Sequence, residues 1–330
     1  MDSELRQDIV SGDWIVMAPG RANRPSDLIE KQKKIKRVGA SARGCPFENP
    51  QAPGNEEPIL VYKNKRGWEL AIIPNKYPAV SHERIVAVPA KHGPYHILPG
   101  VGYHDVVTTR DHDKNFPNLT VSHAELVFRA FRDRYMMLLD DKYIAYVSIF
   151  HNWGPTAGAS IYHPHYQIIA IPVVPPDVQH SLSGSLDYFQ ANKKCVHCVM
   201  IEFELKEKER IIYENDSAVA FAPFVSREPF EIRIFPKKHL PYFENTLDED
   251  LKGVVDCLQT SLKRVENNLA DPDYNFFIHT APVQDKNKYD HYHWHMEVVP
   301  KIKISAGFEL GTGIEINMVN PDEAAKILRK

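Results

Sequence analysis

The stretch His163-Pro164-His165-Tyr166-Gln167 sets two imidazoles and an amide at alternate positions. The apolar run Ile168-Ile169-Ala170-Ile171 follows, so the segment reads as a strand with period two. His163, His165 and Gln167 then share one face, and Pro164 and Tyr166 take the other. Polar groups in an apolar strand need partners, because an unpaired buried polar group is costly. The loop running into the strand carries Asn152, Gly158 and Ser160. Its backbone N–H groups and short side chains suit phosphate oxygens. Arg21 and Arg24 stand three apart in a second loop, and guanidinium forks bind phosphate or base edges.

Metal chemistry is written most clearly further along. Cys195 and Cys198 have the spacing of one arm of a zinc knuckle, and His239 and His291 can complete a tetrahedron. Two thiolates with two imidazoles suit zinc and tie folding to the metal. The bland alternative is a pair of buried thiols. In the first half the equivalent set is Cys45, Glu48, His112 and His163, with a carboxylate in place of the second thiol.

These residues need elements to hold them. Residues 8–18 predict two short strands around a Ser-Gly-Asp turn, and 59–62, 68–73, 101–109 and 143–150 predict further strands. Apolar residues from Leu126 to Leu139 recur at helical spacing, and Ser122 with Glu125 reads as a capping box. Asn320, followed by Pro321 and two acids, predicts a capped C-terminal helix. Gly307 to Gly313 reads as a glycine-rich strand-loop, since it lacks the lysine-serine ending of a phosphate loop.

The second half repeats the first. Cys195 to Cys198 matches Cys45 to Glu48, a helix near Asp248 matches the one at Ser122, and Tyr274–His279 matches Tyr146–His151. His291-Tyr-His293-Trp-His295 is set against His163-Pro-His165-Tyr-Gln167. His112 and His163 lie 51 positions apart, His239 and His291 52. A duplicated strand-helix-strand unit follows. The expected halves are 1–180, with the His163–Gln167 strand, and 181–330, with the thiol pair and the C-terminal segment.

Composition narrows the function. At 330 residues the chain can bury a full core. A net charge of −3 gives no electrostatic case for nucleic acid or an anionic membrane. No apolar run is long enough to span a bilayer, and the first residues lack a basic-then-apolar leader pattern. Four cysteines are no disulfide framework in a chain of this size. The expectation is a cytoplasmic protein.

Over nearly its whole length the sequence resembles the galactose-1-phosphate uridylyltransferase branch of the histidine-triad superfamily. The resemblance is carried by Arg21-Ala-Asn-Arg24-Pro, Cys45-Pro-Phe, Asn152 through Ser160, His163-Pro-His165-x-Gln167, His291-x-His293-x-His295 and Ala306-Gly-Phe-Glu309. It implies an α+β fold of duplicated histidine-triad-like units, with helices packed on antiparallel sheets and the two halves packing through their sheets. It also implies a homodimer, and a two-step transfer in which His165 takes a nucleoside monophosphate. His163 looks like a zinc ligand, and Gln167 like the group that binds the phosphoryl oxygens. Arg21, Arg24, Asn75, Lys76, Asn152, Gly158 and Ser160 map to nucleotide and phosphate contacts, and Lys303, Phe308 and Glu309 to the part that holds the hexose.

The chain departs from many relatives at Glu48, Ala159 and Tyr166. A further structural metal in some relatives uses histidines matching His279, His293 and His295 with a carboxylate between the repeats, and no such carboxylate stands out here. Hydrolase relatives carry a histidine where Gln167 stands. An amide can hydrogen-bond phosphoryl oxygens but cannot act as a general acid, which favours transfer over hydrolysis. The leading expectation is exchange of UMP between UDP-glucose and galactose 1-phosphate. The alternative is a nucleotide-sugar phosphorylase acting on ADP-glucose, with inorganic phosphate as acceptor.

Overall fold

The alternating apolar runs become fifteen described strands. In chain order these are β1 (Glu4–Gln7), β2 (Trp14–Met17), β3 (Leu60–Asn64), β4 (Gly67–Pro74), β5 (Ala90–His92), β6 (Tyr95–Ile97), β7 (Tyr103–Thr109), β8 (Tyr146–Trp153), β9 (His165–Ile171), β10 (Ile211–Glu214), β11 (Ala218–Phe221), β12 (Ile232–Pro236), β13 (Tyr274–His279), β14 (His295–Pro300) and β15 (Ile316–Asn317). The described helices are α1 (Val121–Leu138), α2 (Pro176–Asn192), α3 (Val196–Glu207), α4 (Asp248–Asn268), α5 (Gly307–Thr312) and α6 (Pro321–Leu328). The structure, a computed structural model, describes residues 3–21, 29, 39–52, 55–81 and 88–330, and Arg24 lies outside them.

Ten strands form one antiparallel sheet in the order β10-β11-β12-β14-β13-β8-β9-β7-β4-β3. At its middle β8 meets β13 with Phe150 opposite Phe277. Gln167 on β9 also faces Phe150, and Glu297 on β14 faces Phe277. One strand further out, Val106 faces Gln167 and Arg233 faces Glu297. A pseudo-twofold axis through the Phe150–Phe277 pair therefore relates the two sets of five strands. The halves join edge to edge into a continuous sheet rather than face to face. This satisfies the backbone of the central strands. On one sheet face α3 packs Ile201 and Leu205 against Val219, Phe221 and Phe235.

The opposite face carries α1 and α4. Phe128, Phe131 and Tyr135 of α1, Leu258 and Leu262 of α4, and Tyr166, Phe276 and Trp294 belong to one continuous core spanning both halves. The α1 cap is Thr120, whose hydroxyl accepts from the His123 N–H at 3.3 Å, two residues before the expected Ser122. Asn320 caps α6 as expected, accepting from the Asp322 N–H at 2.8 Å. Residues 307–312 are a short helix, not a strand-loop: the Glu309 carboxylate reaches back to the Ala306 N–H, and Gly313 closes the turn at positive φ. Among the described residues no helix is long and apolar enough to cross a membrane.

One buried ion pair ties β7 to α1. Arg134 donates to Asp105 at 2.7 Å, with both side chains almost wholly buried. Replacing Arg134 with methionine removes the cation that faces the buried Asp105 carboxylate, so stability should fall, by up to about 3–5 kcal/mol. A urea midpoint lowered at constant m-value is the expected readout. An unchanged midpoint would show that the pair is dispensable.

Candidate active site and metal centres

On β9 the side chains alternate as the pleat requires. Tyr166, Ile168 and Ala170 enter the core, so His165 and Gln167 take the face away from α1 and α4. His165 is only 7% exposed. Its Nδ1–H donates to the His163 carbonyl at 3.0 Å, and Nε2 makes no hydrogen bond among the described residues. The Phe47 ring lies 5.1 Å from the His165 ring. Burial lowers the His165 pKa below the ordinary histidine value, so the ring is neutral near pH 7. From β8 the buried His151 sets Nδ1 2.7 Å from the His165 carbonyl oxygen.

The loop after β8 is held by the other half. Asn275 of β13 donates to Asn152 Oδ1 and to the Ala157 carbonyl, each at 2.8 Å. The Asp273 carboxylate accepts from the Thr156 backbone N–H and hydroxyl. Gly154 lies against it with φ of +84°, and a Cβ there would stand 1.9 Å from the Asp273 oxygen. Gly158 and Ser160 are left exposed at the surface of this loop.

Around Gln167 the structure adds a residue that sequence reasoning passed over. His104 of β7 places Nε2 2.8 Å from Gln167 Oε1, and Asn75 Nδ2 lies 3.0 Å from the same nitrogen. A single histidine in a strand has no local pattern to mark it. Lys76 is exposed just beyond Asn75, and Arg21 is exposed at the end of the turn Pro19–Arg21. Lys303 is 4% exposed and paired with Glu315 at 2.6 Å and Glu228 at 3.5 Å. Phe308 sits exposed on α5, and Glu309 is half-buried there. Among the described residues none of these three bonds to His165, Gln167 or Asn152.

Two sets of four side chains gather as metal ligands would. Cys45, Glu48, His112 and His163 converge in the first half, and Cys195, Cys198, His239 and His293 in the second. The second set corrects one expectation: His293, not His291, joins the thiols. His291 lies in the turn before β14, and the longer connection after β13 moves the matched histidine on by two positions. Cys198 Sγ lies 3.3 Å from His239 Nδ1 and 3.6 Å from His293 Nδ1. His163 Nδ1 lies 3.6 Å from Cys45 Sγ, 3.2 Å from His112 Nδ1 and 3.3 Å from Glu48 Oε1. The edges of a zinc tetrahedron built from ordinary bond lengths are about 3.3–3.8 Å. Outer nitrogens are spoken for as well: Nε2–H of His163, His112 and His239 donates to the carbonyls of Thr109, Ala40 and Asp290. A hydrogen bond from Cys198 pulls Cys195 below an ordinary thiol pKa.

A third group lies where the pseudo-twofold carries the His165 site. His295 corresponds to His165, Glu297 to Gln167, and His279 to Asn152 rather than to the expected His151, a shift of one position along β8. His295 Nδ1–H likewise donates to the His293 carbonyl, at 3.1 Å. The carboxylate near His279 and His295 thus comes from β14 itself, not from between the repeats. Arg233 already pairs with it at 3.1 Å and with Glu231 at 3.2 Å. Burial opposes ionisation of Glu297, but Arg233, His279 and His295 outweigh it and hold the carboxyl well below its usual pKa. A cavity of about 140 Å³ opens here.

Comparison with known proteins places this geometry among relatives. Residues 1–175 match the family described as galactose-1-phosphate uridyl transferase, N-terminal domain, and residues 97–329 match a domain of unknown function, DUF4921. An ADP-glucose phosphorylase of Arabidopsis thaliana is 34% identical, over 99% of this chain and 92% of its own length. A galactose-1-phosphate uridylyltransferase of Thermotoga maritima is 27% identical, over 99% of this chain and 98% of its own. The crystal structure of an ADP-glucose phosphorylase from Arabidopsis thaliana with bound ADP-glucose superposes with a TM-score of 0.84 at 31% identity, covering 100% of this chain and 99% of that one.

Proposed function

We propose, because the chain belongs to the galactose-1-phosphate uridyl transferase family, that it is a nucleotidyltransferase whose His165 carries a nucleoside monophosphate from donor to acceptor. The observation that carries this reading is the His165 imidazole, whose proton is pinned on Nδ1 by the His163 carbonyl. That leaves the Nε2 lone pair for phosphorus. In the first step Nε2 attacks the α-phosphorus of a nucleotide sugar. The bond to the bridging oxygen breaks, and sugar 1-phosphate leaves with the electron pair. In the second step an acceptor phosphate oxygen attacks the same phosphorus, the P–N bond breaks and the lone pair returns to Nε2. Gln167 and the Asn152–Ser160 loop donate to the phosphoryl oxygens in both steps.

For the donor and acceptor we propose ADP-glucose and inorganic phosphate. The greater likeness to the Arabidopsis phosphorylase supports this. So does Lys303, whose ammonium is engaged by Glu315 and Glu228 rather than offered to a sugar phosphate. Exchange between UDP-glucose and galactose 1-phosphate is the second reading, supported by the family match over residues 1–175. We assign zinc to the two four-ligand sets, where the ligand separations fit. When bound there it supplies a cross-link that fixes His163 at the entry to β9.

Intact-protein mass spectrometry after incubation with ADP-glucose or UDP-glucose tests the reading. An adenylyl adduct discharged by phosphate is expected. A uridylyl adduct discharged by galactose 1-phosphate would move the assignment to the second reading. Turnover with no adduct from either donor would sink the covalent mechanism.

A further inference from the structure

Gln167 is useful only if its amide faces the right way, because its nitrogen donates to phosphoryl oxygens and its oxygen repels them. His104 settles that orientation. Its side chain is 7% exposed. The backbone N–H of Ala79 points at Nδ1 from 3.0 Å, and a backbone amide can only donate. Nδ1 therefore holds the lone pair, and the proton of the neutral ring sits on Nε2. That N–H meets Gln167 Oε1 at 2.8 Å. With its oxygen held by β7, the Gln167 amide must turn its NH2 away from His104.

We propose that His104 is a positioning residue, fixing the Gln167 amide with its N–H groups toward the phosphoryl group on His165. The inference rests on the reading of Gln167 given above. The same proton excludes Asn75 as a partner of His104. Asn75 Oδ1 already accepts from the Tyr77 N–H at 2.9 Å, so its Nδ2 faces Nε2 as donor to donor. The other half supplies an internal contrast. By the strand register Glu231 stands where His104 does and Glu297 where Gln167 does. Arg233 bridges those two carboxylates. Where the imidazole is missing, the amide is missing too.

A double-mutant cycle on the rate of nucleotidyl-His165 formation tests this, measured in single turnovers with whichever of ADP-glucose and UDP-glucose labels the protein. Gln167→Ala should slow the step about 100-fold. His104→Phe should slow it about tenfold, the worth of one hydrogen bond. The double variant should be no slower than Gln167→Ala within about twofold, because His104 has nothing left to orient. His104→Gln, which keeps an N–H donor, should recover the rate to within about threefold of wild type, and it carries the test if the phenylalanine variant fails to fold. A tenfold loss that persists in the Gln167→Ala background would overturn the proposal and leave His104 a packing residue. So would a wild-type rate for His104→Phe, or no recovery in His104→Gln. No effect of Gln167→Ala would instead remove the reading of Gln167, and the inference with it.

Discussion

Substituting His165 with alanine is expected to lower nucleotidyl transfer by about four orders of magnitude or more and to eliminate the covalent adduct. Among the described residues, no other group at the site has the same combination of a neutral nitrogen, a fixed tautomer and an open lone pair. The phosphate contacts from Gln167 and the Asn152–Ser160 loop remain, so nucleotide binding measured by calorimetry should change only a few-fold. The loss therefore belongs in the chemical step rather than in affinity. Peptide mapping of the wild-type adduct should find His165 and not His295. His295 shares the tautomer, since its Nδ1–H also donates to the carbonyl two residues back. Yet its neighbour Glu297 is an ionised carboxylate that repels phosphoryl oxygens. The cavity beside it, about 140 Å³, is smaller than the roughly 300–1,000 Å³ typical of small-molecule sites. A labelled His295, or an active His165→Ala variant, would overturn the assignment.

The second large effect is expected at the thiol pair. Cys198→Ser should remove one equivalent of zinc per chain by elemental analysis and lower the melting temperature by on the order of 10 °C. Cys198 lies within ligand-edge distance of both His239 and His293, so its loss opens the tetrahedron on two edges. Cys198 sits on α3, His239 between β12 and α4, and His293 just before β14, so the set ties three parts of the second half at one point. Glu48→Gln in the other set should cost less, because a carboxylate shared with His112 at 2.6 Å is replaced by an amide of the same shape. Full zinc content and an unchanged melting curve for Cys198→Ser would show that the four side chains gather for another reason.

Much of this is legible in the sequence. The alternation of His163, His165 and Gln167 gives their shared face directly, and the apolar period from Leu126 to Leu139 gives α1. Asn320-Pro321 marks the α6 start because cap and first-turn chemistry are local. Long-range features were not legible. His291 was set against His163 because counting positions cannot see that one connecting loop is longer than its counterpart. A slip of two preserves the strand period and so leaves no trace in the pattern. His104 was missed because its role arises only where the turn after β4 crosses β7 and β9. The short helix at Gly307–Thr312 was masked by its glycines, and Glu309 reaching back to Ala306 outweighs them.

The Phe150–Phe277 seam has a thermodynamic meaning if, as proposed, one half alone carries the nucleophile. Two separate five-strand units could build this sheet only by associating, with a dependence on concentration and a loss of translational freedom at each encounter. Carried on one chain, the second unit meets the first at a fixed effective concentration. It can therefore give up nucleophile chemistry, fill its cleft with Arg233 and two carboxylates, and still serve as the permanent cover for the edge of β8. The second half also reaches into the first, because Asn275 and Asp273 hold the Asn152–Ser160 loop. On the proposed reading, catalysis by one half is then inseparable from the folding of the other.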